Sequence, residues 1–243
     1  MNHSNAQKLN TDEEKVVLNF IQLINNHNID SLKNQVQYPL HRKKPFNSIL
    51  DTVDFVNEYE VLFDEGFRNL ITNSYNLGKW SVVGLKGIML ENGLLWLDFN
   101  GKLIAVNYNS KESIAKKKRL LALDKENIHE SLRENQAFEA FIHTNRFFIR
   151  IDLFENNSYR LAYWPVNTVS TSKPKKIILK GIKTTNYLEG SVSYTFTAGN
   201  FSYVCRFLND SLENELVQFN MYKNGMLFLK DNGFRAKKSY FSL

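Results

Sequence analysis

The chain has 243 residues, 43% of them hydrophobic and 23% charged, with 31 Lys and Arg against 25 Asp and Glu for a formal charge of +6. These proportions exclude a disordered, collagenous or disulfide-scaffold polypeptide and describe a folded chain with room for one large core or two ordinary ones. No apolar run reaches the length of a membrane-spanning helix, the first residues lack the apolar stretch of a secretory signal, and the single cysteine, Cys205, has no partner for an intrachain disulfide, so the expected location is the cytoplasm.

In chain order, Thr11 followed by Glu14 has the spacing of a capping box, in which each side chain satisfies an otherwise unpaired amide. Val17, Phe20, Ile21 and Ile24 recur at helical spacing and predict a first helix that ends near His27-Asn28. A short second helix is expected from Asp30, broken by the extended segment Tyr38-Pro39-Leu40, because the residue before a proline is steered away from helical angles. Phe55, Tyr59, Leu62, Phe63, Phe67, Leu70 and Ile71 outline a further helical face over residues 52–72, in one piece or two. The period then switches. Residues 85–91, 94–99 and 102–108 read as three strands joined by Asn92-Gly93 and Asn100-Gly101, dipeptides that tolerate the positive φ of a type I′ turn. The middle strand is apolar on both faces, Leu94 and Trp96 against Leu95, Leu97 and Phe99, which predicts cover on both sides.

Helices followed by a curved antiparallel sheet wrapped around them is the order of the nuclear-transport-factor-two-like (SnoaL-like) cone fold, and residues 10–109 resemble that superfamily in order and length. The resemblance is carried by the capped first helix, the Tyr38-Pro39-Leu40 segment, the helix through Phe55-Val56-Asn57-Glu58-Tyr59 and the hairpin from Gly87 to Trp96. It implies a cone whose mouth can hold acids, bases and phenols, as in the ketosteroid isomerases and scytalone dehydratase. An apolar pocket perturbs a carboxylate or imidazole, and a buried tyrosine hydroxyl can stabilise an oxyanion. On this resemblance His41, Asp64 and Tyr59 are candidate catalytic groups, His41 and Asp64 as base and orienter, while Tyr38, Tyr59, Phe63 and Trp96 are candidate ligand-binding residues. None aligns with a catalytic motif of the family. His41 sits in the hydrophilic His41-Arg-Lys-Lys44 and Asp64 beside Glu65, so a purely structural part is the competing expectation. Members of the superfamily often pair through the open face of the sheet, which implies a homodimer through the N-terminal sheet; cover by the C-terminal domain is the alternative.

Residues 110–136 are charged and helical in propensity, with the basic run Lys116-Lys117-Lys118-Arg119 and a short helix expected over 125–134; they read as a connector. Beyond them the pattern alternates. Residues 146–154, 159–164, 176–179, 192–197, 201–207, 215–222 and 226–229 are expected strands, with turns at Glu155-Asn-Asn-Ser158, Ala198-Gly199-Asn200 and Lys223-Asn224-Gly225. Six or seven antiparallel strands with short turns imply a small sandwich or an up-and-down barrel. The expected class is therefore α+β: a cone domain over 10–109, a connector over 110–136 and an all-β meander over 137–243.

No motif for a cofactor appears. The five histidines, His3, His27, His41, His129 and His143, have no metal-ligand spacing, and Gly84-Leu-Lys-Gly87 is too short for a phosphate loop and precedes a strand. Cys205 alternates with Phe201, Tyr203 and Phe207, the pattern of a small core residue. Asn-x-Ser triplets at Asn156, Asn200 and Asn209 are expected by chance in an Asn-rich chain. Excess positive charge gathers at 116–119, at Lys173, Lys175, Lys176, Lys180 and Lys183, and at Arg235, Lys237 and Lys238. Such patches steer acidic partners, but no recognition helix or aromatic-basic sheet signature accompanies them, which disfavours nucleic acid. The expected role is a non-enzymatic binding or interaction protein of unknown partner, with the cone domain holding a small apolar ligand; the alternative is a small cone-fold enzyme of isomerase, dehydratase or hydrolase type using acid-base chemistry in the cone pocket.

Overall fold

Asn10, not Thr11, opens the first helix. In the computed structural model, which describes residues 7–135, 137–208 and 215–236, Asn10 is extended, and its Oδ1 accepts from the amides of Asp12 and Glu13 at 2.9 and 3.0 Å. Glu13 Oε2 accepts in return from the Asn10 amide at 2.7 Å, so the capping box lies one residue ahead of the expected pair. His3, Asn209, Lys237 and Lys238 lie outside the described residues. The chain divides into two compact units between Lys118 and Arg119.

The first unit holds α1 (Thr11–Asn25), α2 (Ile29–Leu32), α3 (Thr52–Leu62), α4 (Glu65–Ser74) and a four-stranded antiparallel sheet of β1 (Trp80–Val82), β2 (Ile88–Leu90), β3 (Leu95–Leu97) and β4 (Leu103–Val106), in the order β1-β2-β3-β4. The expected face over 52–72 is thus two helices, parted where Asp64 leaves helical angles to cap α4. β1 was not expected from the sequence. Val17, Phe20 and Ile24 of α1 share one buried cluster with Phe55, Phe63 and Phe67 and with Leu95 and Leu97 of β3. Asn92 and Gly93 both have positive φ, as the dipeptide predicts, whereas only Gly101 does in the second turn, where Asp98 Oδ1 accepts from the amides of Asn100 and Lys102. Gly87 has φ +113, and a Cβ there would collide with the Leu97 carbonyl oxygen.

Helix α5 (Lys111–Glu126) runs across the division, replacing the helix expected over 125–134, where only a short 3₁₀ turn stands at Glu130–Leu132. The second unit is all-β from residue 137. Its strands are β5 (Ala137–Thr144), β6 (Phe147–Leu153), β7 (Tyr159–Pro165), β8 (Lys176–Asn186), β9 (Ser191–Ala198), β10 (Phe201–Phe207), β11 (Leu216–Lys223) and β12 (Met226–Arg235). Each pairs antiparallel with the next and β12 pairs with β5, which closes an eight-stranded barrel; the sandwich alternative falls away. The inward residues fill it with aromatic rings, among them Tyr163, Tyr194, Phe196, Tyr203, Phe207 and Phe219. Cys205 is fully buried in that core, and burial pushes its thiol up. Among the described residues no helix is long and apolar enough to cross a membrane.

Candidate functional site

Of the candidates from the first unit, Tyr59 and Phe63 meet with ring centroids 5.4 Å apart, but His41 and Asp64 do not pair. Asp64 is buried and its two oxygens are engaged by the backbone: Oδ1 accepts from the Phe67 amide at 2.8 Å as the cap of α4, and Oδ2 from the Lys111 amide at 2.9 Å. His41 is exposed and its Nδ1 lies 3.2 Å from Ser48 Oγ, with Asp64 not among its partners. Phe63 is fully buried, stacked on Phe67, which stacks in turn on Tyr108 with ring centroids 4.1 Å apart. The Tyr38 hydroxyl donates to the Lys33 carbonyl at 2.8 Å, and burial, with Asp51 nearby, pushes its phenol up to about 12. Trp96 is half-buried on the opposite face of β3 from Leu95 and Leu97, in register with Met89 and Ala105.

Tyr59 has neighbours that its spacing alone did not reveal. Its hydroxyl is buried without a well-formed hydrogen bond, and burial pushes the phenol up while the Arg68 guanidinium pulls the other way. The His27 ring meets Tyr59 edge-on at 5.5 Å, Glu60 Oε1 lies 3.5 Å from His27 Nε2, and Arg68 donates to Glu60 Oε2 at 2.8 Å. His27 stands at φ +52 just beyond α1, which turns its ring back toward α3.

A recess lies in the second unit, on the outer wall of the barrel. It is a cleft of about 620 Å³ lined by Lys125, Arg133, Asn135, Phe154, Leu179 and Lys180, with Glu134 and Glu155 on the same rim. Two devices build it. The first is a β-bulge. Between the pairs Tyr159↔Gly181 and Leu161↔Ile178, two residues of β8, Leu179 and Lys180, stand opposite a single residue of β7. Ile178 and Gly181 on either side are buried, and a Cβ on Gly181 would run into the Phe196 ring in the barrel core. Leu179 and Lys180 therefore both point outward, which strict alternation would forbid. Lys180 takes φ +61 to do so.

The second device is a buried ionic tetrad that straps the segment after α5 to the barrel wall. Arg150, on the outer side of β6 and fully buried, donates to Asp124 Oδ1 at 2.8 Å and through Nε to Asp152 Oδ1 at 2.7 Å. Arg160 donates to Asp152 Oδ2 at 2.7 and 3.0 Å, and to the carbonyls of Leu132 and Glu134. Asn135 Nδ2 also donates to Asp152 Oδ1 at 3.1 Å. Two guanidinium cations and two carboxylates thus neutralise one another out of water, which offsets the cost of burying them. Ile128 and Leu132 pack beside them on Ala162 and Trp164. The cleft accordingly has pre-set walls, with Phe154 held against the Arg160 guanidinium at 5.2 Å.

A shallower recess of about 500 Å³ continues past the bulge along Tyr159, Lys180, Lys183 and Thr185. Of these, Lys183 donates through Nζ to Glu139 at 3.1 Å; Glu139 also accepts from the Tyr194 hydroxyl, and burial together with its charge pushes the Tyr159 phenol up. Among the described residues no group of three or more His, Cys, Asp or Glu is placed to hold a metal ion. No family model, no curated protein and no solved structure matches the chain.

Proposed function

We propose that the chain is a non-enzymatic binding protein whose binding surface is the cleft on the outer wall of the barrel, with the first unit as a scaffold of the nuclear-transport-factor-two-like cone type. The cleft carries the reading: an apolar floor of Phe154 and Leu179, a polar rim, and walls fixed by the tetrad. The order of α1 to α4 followed by an antiparallel sheet, with one core between them, supports the cone assignment. The acid-base alternative has less behind it, since both Asp64 oxygens are occupied by backbone amides and His41 is exposed, with Ser48 rather than Asp64 beside it.

Native mass spectrometry of the freshly purified full chain, followed by denaturing release, looks for a retained small molecule. A fluorescence titration with N-phenyl-1-naphthylamine, a neutral apolar probe, tests the cleft itself. Saturable binding that weakens in Leu179→Ser supports the reading. Absence of saturable binding by the intact chain, both of this probe and of its sulfonated relative 8-anilinonaphthalene-1-sulfonate, refutes it.

A further inference from the structure

Lys180 marks what kind of ligand the cleft takes. Its φ of +61 puts a β-carbon where glycine or asparagine would sit without strain, yet a lysine stands there, on the rim of both recesses. The bulge turns Lys180 out on the same side of the strand as the exposed Leu179, so one local device presents a cation and an apolar side chain. Strained, bulged positions of this sort serve to re-aim a side chain at a site.

The charges around it agree. Lys125, Arg133 and Lys180 all line the cleft, and among the described residues none of the three is held in an ion pair. Several cations elsewhere in the unit are matched: Arg150 and Arg160 by the two buried aspartates, Lys183 by Glu139, Arg206 by Glu189. Glu134 and Glu155, both exposed, leave the rim with one cation in excess. A rim of three cations and two carboxylates around an apolar floor suits a molecule with the complementary halves.

Resting on the cleft as the binding surface, we propose that its ligand is an anionic amphiphile, with an apolar body over Phe154 and Leu179 and an acid group, carboxylate, sulfonate or phosphate, held by Lys125 and Lys180. Arg133, whose Nε is tied to the Lys125 carbonyl at 3.0 Å, fixes the rim from which Lys125 reaches.

Two probes that share an aromatic body and differ by one sulfonate separate this from simple apolar binding: 8-anilinonaphthalene-1-sulfonate and N-phenyl-1-naphthylamine. The full chain is expected to bind the sulfonate at least about tenfold more tightly, the scale of one charge-assisted contact. That advantage should shrink as salt rises. Lys180→Asn, which keeps a residue at home at positive φ, should bring the sulfonate down to the level of the neutral probe without lowering the melting temperature. Leu179→Ser should weaken both probes, and Phe228→Ser, on the exposed start of β12 and outside the cleft, neither. Equal affinities for the two probes, both lost in Leu179→Ser, would overturn the anionic assignment and leave the cleft standing. Loss of the sulfonate in Phe228→Ser would overturn it as well, and no saturable binding of either probe would overturn both it and the cleft.

Discussion

Replacing Asp152 by Asn tests the tetrad that shapes the cleft. Asp152 has no exposed surface and accepts from Arg150 Nε, from two nitrogens of Arg160 and from Asn135 Nδ2, at 2.7 to 3.1 Å. Asparagine keeps the volume, so no cavity term enters. It removes one of two negative charges that balance two buried guanidiniums, and it turns an NH₂ toward at least one of them. Removing one partner of a buried ion cluster costs about 3–5 kcal/mol, chiefly because the surviving cation stays buried and unpaired. At roughly 2–4 °C per kcal/mol for a unit of this size, the melting temperature should fall by roughly 10 °C. Urea denaturation of the full chain, at constant ionic strength, measures the loss. Hydrogen exchange should locate it in β6, β7 and the strap around Leu132. A loss below about 1 kcal/mol would refute the argument, since it would mean that water reaches Arg150 and Arg160 as freely as it reaches a surface pair.

Three further outcomes follow from the same geometry. Gly181→Ala pushes a methyl into the Phe196 ring and should cost about 1–3 kcal/mol by overpacking, read from the urea midpoint; an unchanged midpoint would mean that the bulge yields. The Tyr38, Tyr59, Tyr163 and Tyr203 phenols are all pushed up, chiefly by burial, so the folded state holds their protons more tightly than the unfolded chain does. Their contribution to stability is complete below the ordinary tyrosine value near 10 and is lost as pH climbs toward about 12, the value for Tyr38. Ultraviolet titration should show these phenols ionising late and together with unfolding, and ordinary titration of the folded chain would contradict this. Asp64→Ala strips the α4 cap and the acceptor for the Lys111 amide, for an expected loss of about 1–2 kcal/mol, whereas His41→Ala should stay within about 0.5 kcal/mol. Equal stability of the two variants would show that Asp64 is not a structural cap.

Much of the architecture was legible because local chemistry and tertiary packing agree. The α1 stripe of Val17, Phe20, Ile21 and Ile24 is the buried face of that helix, and the alternation through Tyr203, Cys205 and Phe207 is the inner wall of β10. What was missed breaks its own period. β5 carries a bulge between Phe138 and Ala140, so its apolar residues do not alternate, and β1 is only three residues long. β8 was expected to stop at 179, because the bulge that follows spoils the pattern while the strand continues to Asn186. The cleft was invisible for the same reason: Leu179 and Lys180 share a face only through that irregularity, and Lys125, Arg133 and Phe154 are distant in sequence. The tetrad was hidden too. Arg150, Asp152 and Arg160 look like solvent-facing positions of strands until the strap covers them. Asp64 was legible as a polar residue between two helical runs, but nothing in its spacing distinguished a catalytic acid from a cap.

The barrel is a curled ribbon with a single clasp. Seven of its eight pairings join strands that follow one another in the chain, and only β12 with β5 connects positions some ninety residues apart. That clasp consists of Gly233↔Thr144, Phe234↔His143 and Arg235↔Ile142, helped by the Ala236 amide on the Phe141 carbonyl at 2.8 Å. Local hairpins form early and long closures late, so the ribbon zips strand by strand and shuts at this point last. In the native state the same few bonds are expected to open first, and amide exchange along the clasp should report that opening below the cost of global unfolding. Gly233 is its narrowest link: any side chain there would press on the His143 carbonyl and hold the ribbon ajar.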